Sequence, residues 1–410
     1  MIARSNRNPN HPLALSSGQI QVPTAGVTRI ALVAGEPSGD LLGAELMAAV
    51  RGRRPDIVFC GIGGPKMRAA GLDCWHPMET LAVRGYIEVL RRYREIAAVR
   101  RKLVDRLTRE PPDLFIGIDA PDFNLEVERR LRARRVRTIH YVCPSIWAWR
   151  GERIGLLRDA ADRVLALFPF EKPLLERGGV PVTYVGHPLA DLLPEHPDRT
   201  GTREQLRLPA AAPVIALLPG SRDGELDYMA DLFVETAQKL HARLPGVQFL
   251  VPLVSRETRA RFEQAIYERE AHDLPLQILF GHAHSALTAA DAALVASGTA
   301  TLEAALLRCP MVITYRMADW SWRLMRGKGY LPYGGLPNIL AGRFIVPELI
   351  QEHATAENLA QALANLIGDP PVRRQLAEVF GRMHQELRQG SAERISSAVL
   401  EVLGGPAGHS

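Results

Sequence analysis

The sequence predicts an α/β protein made of two doubly wound, parallel-sheet domains. Short apolar runs such as Leu114-Phe115-Ile116-Gly117-Ile118 and Val214-Ile215-Ala216-Leu217-Leu218 alternate with helix-length stretches, as they do when strands are buried on both faces. The runs end in loops of Gly, Pro, Ser and Asp that open the next helix. At 410 residues the chain exceeds one typical core, and the pattern restarts after a Pro-, Asp- and Arg-rich stretch at 191–212. The expected division is an extension over 1–27, a first domain over 28–190 and a second over 191–389. A last helix at about 390–405 could cross back onto the first domain.

Composition narrows the function classes. With 47% hydrophobic and 23% charged residues, the chain is neither disordered nor fibrous. Cys60, Cys74, Cys143 and Cys309 form no C-x-x-C pair, which argues against a zinc site or a disulfide framework and fits a reducing cytoplasm. No apolar run is long enough to span a bilayer, and no signal-peptide core is present. The net charge is only +5 but unevenly spread: nine Lys/Arg against three Asp/Glu from Arg84 to Arg109, and six arginines among the nine residues from Arg129 to Arg137. Such clusters suit an anionic partner or, equally, a solvated helix face.

Taken in order, Met1 to about Val27 lacks periodicity and is expected to be disordered. Arg29 to Ala34 reads as a strand, followed by Gly35-Glu36-Pro37-Ser38-Gly39-Asp40 and a helix from about Leu41 to Val50. Small residues and hydroxyls there suit an anionic or sugar ligand, although the spacing is not the dinucleotide fingerprint. Turn formation and capping would explain Glu36 and Asp40 as well. Ile57 to Cys60 is the next strand. Thr80 to Glu110 is a basic, partly amphipathic helical region. There Ile87, Val89, Leu90 and Tyr93, beside Arg91, Arg92 and Arg94, have the character of an interfacial membrane contact; a core-facing helix with a basic outer face is the plainer alternative.

The strand at Leu114–Ile118 runs straight into a carboxylate, Asp119, and then into Pro121 and Asp122 at the start of a helix. Ligands of open α/β sheets bind outside the carboxyl ends of strands, so Asp119 stands where chemistry is done, unless it only caps the turn. The strand Thr138 to Val142 opens into Cys143-Pro144-Ser145-Ile146-Trp147-Ala148-Trp149-Arg150. Its indoles are either pinned by packing or line a pocket. A strand at Arg163 to Leu167 follows. His187, at the end of a further strand, could serve a substrate or the structure.

In the second half, Val214 to Leu218 leads into Pro219-Gly220-Ser221-Arg222, with Glu225 in the following helix. Val247 to Val251, Gln277 to Phe280 and Met311 to Thr314 are further strands. The strand Ala292 to Ala296 leads into Ser297-Gly298-Thr299-Ala300-Thr301-Leu302-Glu303. Both loops put glycine and hydroxyls at a helix N-terminus, where free N–H groups hold phosphate, and Arg222 adds a bidentate cation. Glu303, one turn in, is spaced to chelate ribose hydroxyls; a capping-box role is its alternative. Two such loops in one sheet favour a nucleotide-diphosphate site.

These features resemble those of GT-B glycosyltransferases, with two Rossmann-like domains facing a cleft. Six segments resemble the lipid-A-disaccharide synthase family more closely. They are Ala34 to Asp40, Gly117 to Asn124, Pro144 to Arg150, Leu217 to Arg222, Ala296 to Glu303 and Leu336-Pro337-Asn338-Ile339-Leu340, in the family's order from about Val27 to Leu403. The resemblance implies inverting, metal-independent transfer, with no cofactor. UDP-2,3-diacylglucosamine would be joined to 2,3-diacylglucosamine 1-phosphate, giving a β(1→6) disaccharide and UDP. It further implies Asp119 as the base on the acceptor hydroxyl and Arg222 beside the departing diphosphate. Gly220, Ser221, Ser297, Gly298, Thr299, Ala300, Thr301 and Glu303 would hold UDP. Glu36, Ser38, Asp40 and Asn338 would lie near the reacting sugars; Trp147 and His187 are further acceptor-side candidates from their own positions after strands. One departure stands out: Tyr333-Gly334-Gly335 precedes Leu336 where the family often has Tyr-Val-Ser, and the Lys-Thr pair just upstream is missing.

Another UDP-sugar enzyme of this fold, a transferase or a UDP-N-acetylglucosamine 2-epimerase, is the competing expectation. A noncatalytic binder of membrane or nucleic acid would leave both phosphate loops unused. Acylated substrates imply a cytoplasmic protein peripheral on the anionic inner-membrane surface, without a nucleic-acid partner. A homodimer stays open.

Overall fold

The computed structural model describes residues 27–81, 86–148, 151–325, 327 and 330–404. Residues 1–26 of the expected extension, Trp149 and Arg150 lie outside them. So do the side chains of Ile87, Val89, Leu90, Arg91, Arg92 and Tyr93, and with them the expected membrane contact, of which Arg94 alone is described and exposed.

The first domain alternates strands β1 (Arg29–Ala34), β2 (Val58–Gly63), β3 (Asp73–Pro77), β4 (Leu114–Ile118), β5 (Arg137–Tyr141), β6 (Arg163–Ala166) and β7 (Val182–Tyr184) with helices. These are α1 (Pro37–Arg53), α2 (Pro65–Ala69), α3 (Tyr86–Arg109), α4 (Pro121–Arg132), α5 (Arg153–Ala160) and α6 (Glu171–Arg177). Helices α7 (Pro188–Leu192) and α8 (Arg199–Gln205) lead to the second domain, with strands β8 (Val214–Leu218), β9 (Gln248–Leu253), β10 (Leu276–Phe280), β11 (Ala292–Ala296), β12 (Met311–Tyr315) and β13 (Glu348–Ile350). Its helices are α9 (Asp223–Arg243), α10 (Arg256–Glu268), α11 (Ala283–Ala289), α12 (Thr299–Leu306), α13 (Asp319–Met325), α14 (Leu336–Ala341), α15 (Ala356–Gly368) and α16 (Pro370–Leu387); α17 (Ser391–Gly404) ends the chain.

The sheets have the orders β3-β2-β1-β4-β5-β6-β7 and β10-β9-β8-β11-β12-β13, parallel throughout. Side chains alternate along each strand. Ile30, Leu32, Leu114 and Ile116 face one layer of helices, while Ala31, Val33 and Phe115 face Leu103, Leu107, Phe123 and Val127 on the other. Burial on both faces is why these runs carry no polar residue. The strand order reverses between β1 and β4 and again between β8 and β11, which opens a crevice at each switch point.

The Pro-, Asp- and Arg-rich stretch at 191–212 is partly helical. Residues 199–205 form α8, whose Arg199 and Arg203 both pair with Asp291 of the second domain. The expected helix after Glu36 begins four residues early, at Pro37, because proline is favoured in a first turn. Strands β3 and β13 lacked an apolar run to announce them. The final helix does return to the first domain, packing on α1, β5 and β6. The backbone N–H of His187 donates to Leu387 O at 2.9 Å, and Asp191 accepts from the N–H groups of Gly390 and Ser391 at 3.0 and 2.6 Å. No helix among the described residues is long and apolar enough to cross a membrane.

Beneath the switch point of the first sheet, Glu128 and His140 form a fully buried pair at 2.8 Å. Gly117 makes room for it: a Cβ there would lie 2.1 Å from Glu128 Oε1 and 2.7 Å from Asn124 Cβ. Gly117→Ala should therefore cost about 1–3 kcal/mol by overpacking, read as a lower denaturation midpoint. An unchanged midpoint would mean that Glu128 can leave its place freely.

Candidate active site at the two switch points

Each motif loop sits at a strand end beside a topological reversal. Ala34 of β1 pairs with Ile118 of β4, so Glu36 and Asp119 leave adjacent strand ends. In the second sheet Leu218 pairs with Val295, which brings the loops carrying Arg222 and Ser297 together. The two crevices face each other: Arg222 Nη2 stands 3.7 Å from Glu36 Oε2, joining one domain to the other. Arg222 also donates to Glu225 Oε1 at 3.0 Å, and Glu225 Oε2 accepts the Ser221 N–H at 3.0 Å. Ser221 and Arg222 are exposed, as are Gly298 and Thr299; Gly220, Ser297 and Ala300 are half-buried.

Asp119 is half-buried on a left-handed turn, with φ 51° at Asp119 and 43° at Ala120. Its backbone N–H still belongs to the sheet, donating to Tyr141 O at 2.9 Å. The neighbouring end of β5 also turns through a left-handed residue, Val142, at φ 79°. Such conformations are disfavoured for residues with a Cβ and gather where structure serves function.

Several expected site residues are committed to the framework instead. Asp40 is buried and accepts the N–H groups of Gly64, Lys66 and Met67 at 2.8 to 3.0 Å, capping α2 from the first turn of α1. Asn338 is fully buried: it donates to Val346 O and Glu348 Oε1 and accepts from Ile345 and Val346 N–H. A role for Asn338 at the reacting centre would therefore be indirect. Glu348 also takes the N–H groups of Gly334 and Gly335, at 2.8 and 2.9 Å. A Cβ on Gly335 would lie 2.3 Å from Ile313 Cδ1, so the second glycine of Tyr-Gly-Gly stands where a side chain would collide.

His187 is buried, with Nδ1 capping α7 through Leu189 N–H at 3.2 Å; burial lowers its pKa to about 4. Of the two alternatives, the geometry favours the structural one. Trp147 is pinned: its indole N–H donates to Glu171 Oε1 at 3.3 Å and its ring meets Phe170 edge-on. Ser38 is exposed in the first turn of α1. The Thr301 hydroxyl turns back to Gly298 O at 2.7 Å.

Two participants escaped the sequence reading. His284 on α11 lies 3.0 Å from Glu303 Oε2, and that hydrogen bond raises the histidine's pKa. The expected ribose ligand thus has a partner nineteen residues away, at no recognisable spacing. Glu171 is fully buried under the Trp147 loop, its pKa pushed up to about 8 by burial. Only its position in a short amphipathic helix could have hinted at it.

The family model described as lipid-A-disaccharide synthetase matches residues 30–402. A lipid-A-disaccharide synthase of Dechloromonas aromatica is 58% identical over 376 residues, covering 92% of this chain and 98% of its own. One from Methylobacillus flagellatus is 51% identical over 382 residues, covering 93% and 100%. Among solved structures, a UDP-GlcNAc 2-epimerase of Neisseria meningitidis superposes with a TM-score of 0.58 at 12% identity, over 92% of this chain and 99% of that one. The glycotransferase of kitacinnamycin gives 0.62 at 17%, over 91% and 98%. Those two likenesses share the fold. The sequence relatives and the family model go further: this chain belongs to the lipid-A-disaccharide synthase family, glycosyltransferases that form the lipid A disaccharide.

Proposed function

We propose that the chain transfers 2,3-diacylglucosamine from UDP to the 6-hydroxyl of 2,3-diacylglucosamine 1-phosphate, with inversion. The observation that carries this reading is the approach of Arg222 to Glu36 across the cleft, with Asp119 on the strand beside Glu36. A cation on the donor side and carboxylates on the acceptor side are what an inverting displacement needs. Asp119 takes the proton from the acceptor hydroxyl as its oxygen attacks C1 of the donor sugar from the face opposite UDP. The C1–O bond to UDP breaks, and the diphosphate carries away the electron pair. Charge growing on UDP is met by Arg222 and by the N–H groups at the starts of α9 and α12, without a metal ion. Glu303, steadied by His284, holds the ribose hydroxyls.

Asp119→Ala should lower turnover by roughly two to four orders of magnitude while UDP affinity stays near normal. Undiminished turnover would return Asp119 to a turn-forming role. Arg222→Ala and Glu303→Ala should both weaken UDP binding in calorimetry, and Arg222→Ala should slow the chemical step as well, since its partner gains charge in the transition state. Activity should survive EDTA; loss restored by magnesium would refute the metal-free step. Both substrates carry acyl chains, and each methylene favours the bilayer by about 0.8 kcal/mol. The N-terminal part of α3 is therefore proposed to dock peripherally on anionic membrane. A Leu90→Glu, Arg91→Glu, Arg92→Glu variant should lose vesicle co-sedimentation, most visibly at low salt, and normal binding by the folded variant would move the contact elsewhere.

A further inference from the structure

We propose that Asn124 is a positioning residue for Asp119, its buried carboxamide locking the left-handed turn that displays the carboxylate. The inference rests on the reading of Asp119 as the base. Asp119 and Ala120 are consecutive left-handed residues, neither of them glycine. Each carries a Cβ that disfavours this conformation, so something must hold the pair there. Asn124, four residues on and fully buried, is placed to do it. Its Nδ2 donates to Asp119 O at 2.8 Å, and to Ile118 O and Val33 O at 3.3 Å each. One side chain thereby gathers the last carbonyl of β4, the carbonyl of the catalytic residue itself, and the end of β1 that leads to Glu36.

The polarity of these bonds separates this role from helix capping. An asparagine that caps a helix start accepts N–H groups through its oxygen. Here the nitrogen does the bonding, while Oδ1 is buried with no partner. The carboxamide is seated from below. Gly117 leaves room for it, and Glu128, paired with His140, fills the far side. A second buried oxygen without a partner, Glu128 Oε2, belongs to that neighbour. Burial raises the Glu128 carboxyl above the ordinary range. The turn is held by donors whose position is fixed by the core, so the backbone from which the carboxylate projects is set by the fold.

The test is a mutant cycle on kcat, KM and UDP affinity. Asn124→Ala should lower kcat by roughly 10- to 100-fold, the scale of a misplaced catalytic group, with UDP affinity within about twofold of wild type. In the Asp119→Ala background the same change should alter residual turnover by less than about threefold, because no base remains to position. Ala120→Gly, which removes one Cβ from the strained turn, should recover part of the lost kcat in Asn124→Ala. Asn124→Asp, of the same shape but without the donors, replaces Asn124→Ala if that variant fails to fold by circular dichroism. An equal loss in both backgrounds, a parallel loss of UDP affinity, or a folded variant with normal kcat would overturn the proposal. Near-normal turnover by Asp119→Ala alone would overturn the base assignment and this inference together, and is distinguished by being read on the single variant.

Discussion

A parallel sheet covered on both faces leaves polar chemistry one exit, at the ends of its strands. Strands β4, β8 and β11 are buried along their whole length. No ionisable side chain can stand inside them without losing its hydration. Asp119 and Ser297 follow directly from that exclusion, each lying just beyond the last buried position, and Arg222 stands three residues past buried Pro219. Most polar groups that stay inside have partners: Glu128 with His140, Asn338 with a carbonyl, a carboxylate and two N–H groups, and Glu171 with Trp147 and two backbone N–H groups.

The same exclusion explains how much could be read beforehand. Strands buried on both faces write themselves as apolar runs, and β4, β8 and β11 were legible to the residue. Strand β3, Asp-Cys-Trp-His-Pro at a sheet edge, and three-residue β13 carry no such signature. Site residues were legible as loops, not as side-chain directions. Glu36 and Asp40 share one motif, yet one reaches the second domain and the other turns back to cap α2, a difference decided by where α2 begins. Partnerships between elements, His284 with Glu303 or Glu171 with Trp147, leave no trace in spacing because the segments that carry them meet only after folding.

Charge tells a related story. The arginines from 129 to 137 suggested an anionic partner, but many have partners within the chain. Arg129 and Arg130 pair with Glu126, Arg132 with Asp162, and Arg137 donates to Leu403 O of the returning helix. Exposed pairs of this kind add little stability each. Their effect is to occupy the positive groups and, at Arg137 and Arg163, to fasten α17 to the first sheet.

The return of α17 means that the chain crosses between domains twice, near Gly186 to Asp191 and again near Leu387 to Ser391. The crossings are bonded to each other: His187 to Leu387, Asp191 to Gly390 and Ser391, and His384 lodged between Ala190 O and Leu306 O. Two separated straps would have locked the domains against rotation; two straps laced side by side form a single pivot. The span between Arg222 and Glu36 is then a lever's reading of that pivot's angle, and the backbone around these few residues is the bearing on which any opening of the cleft must turn.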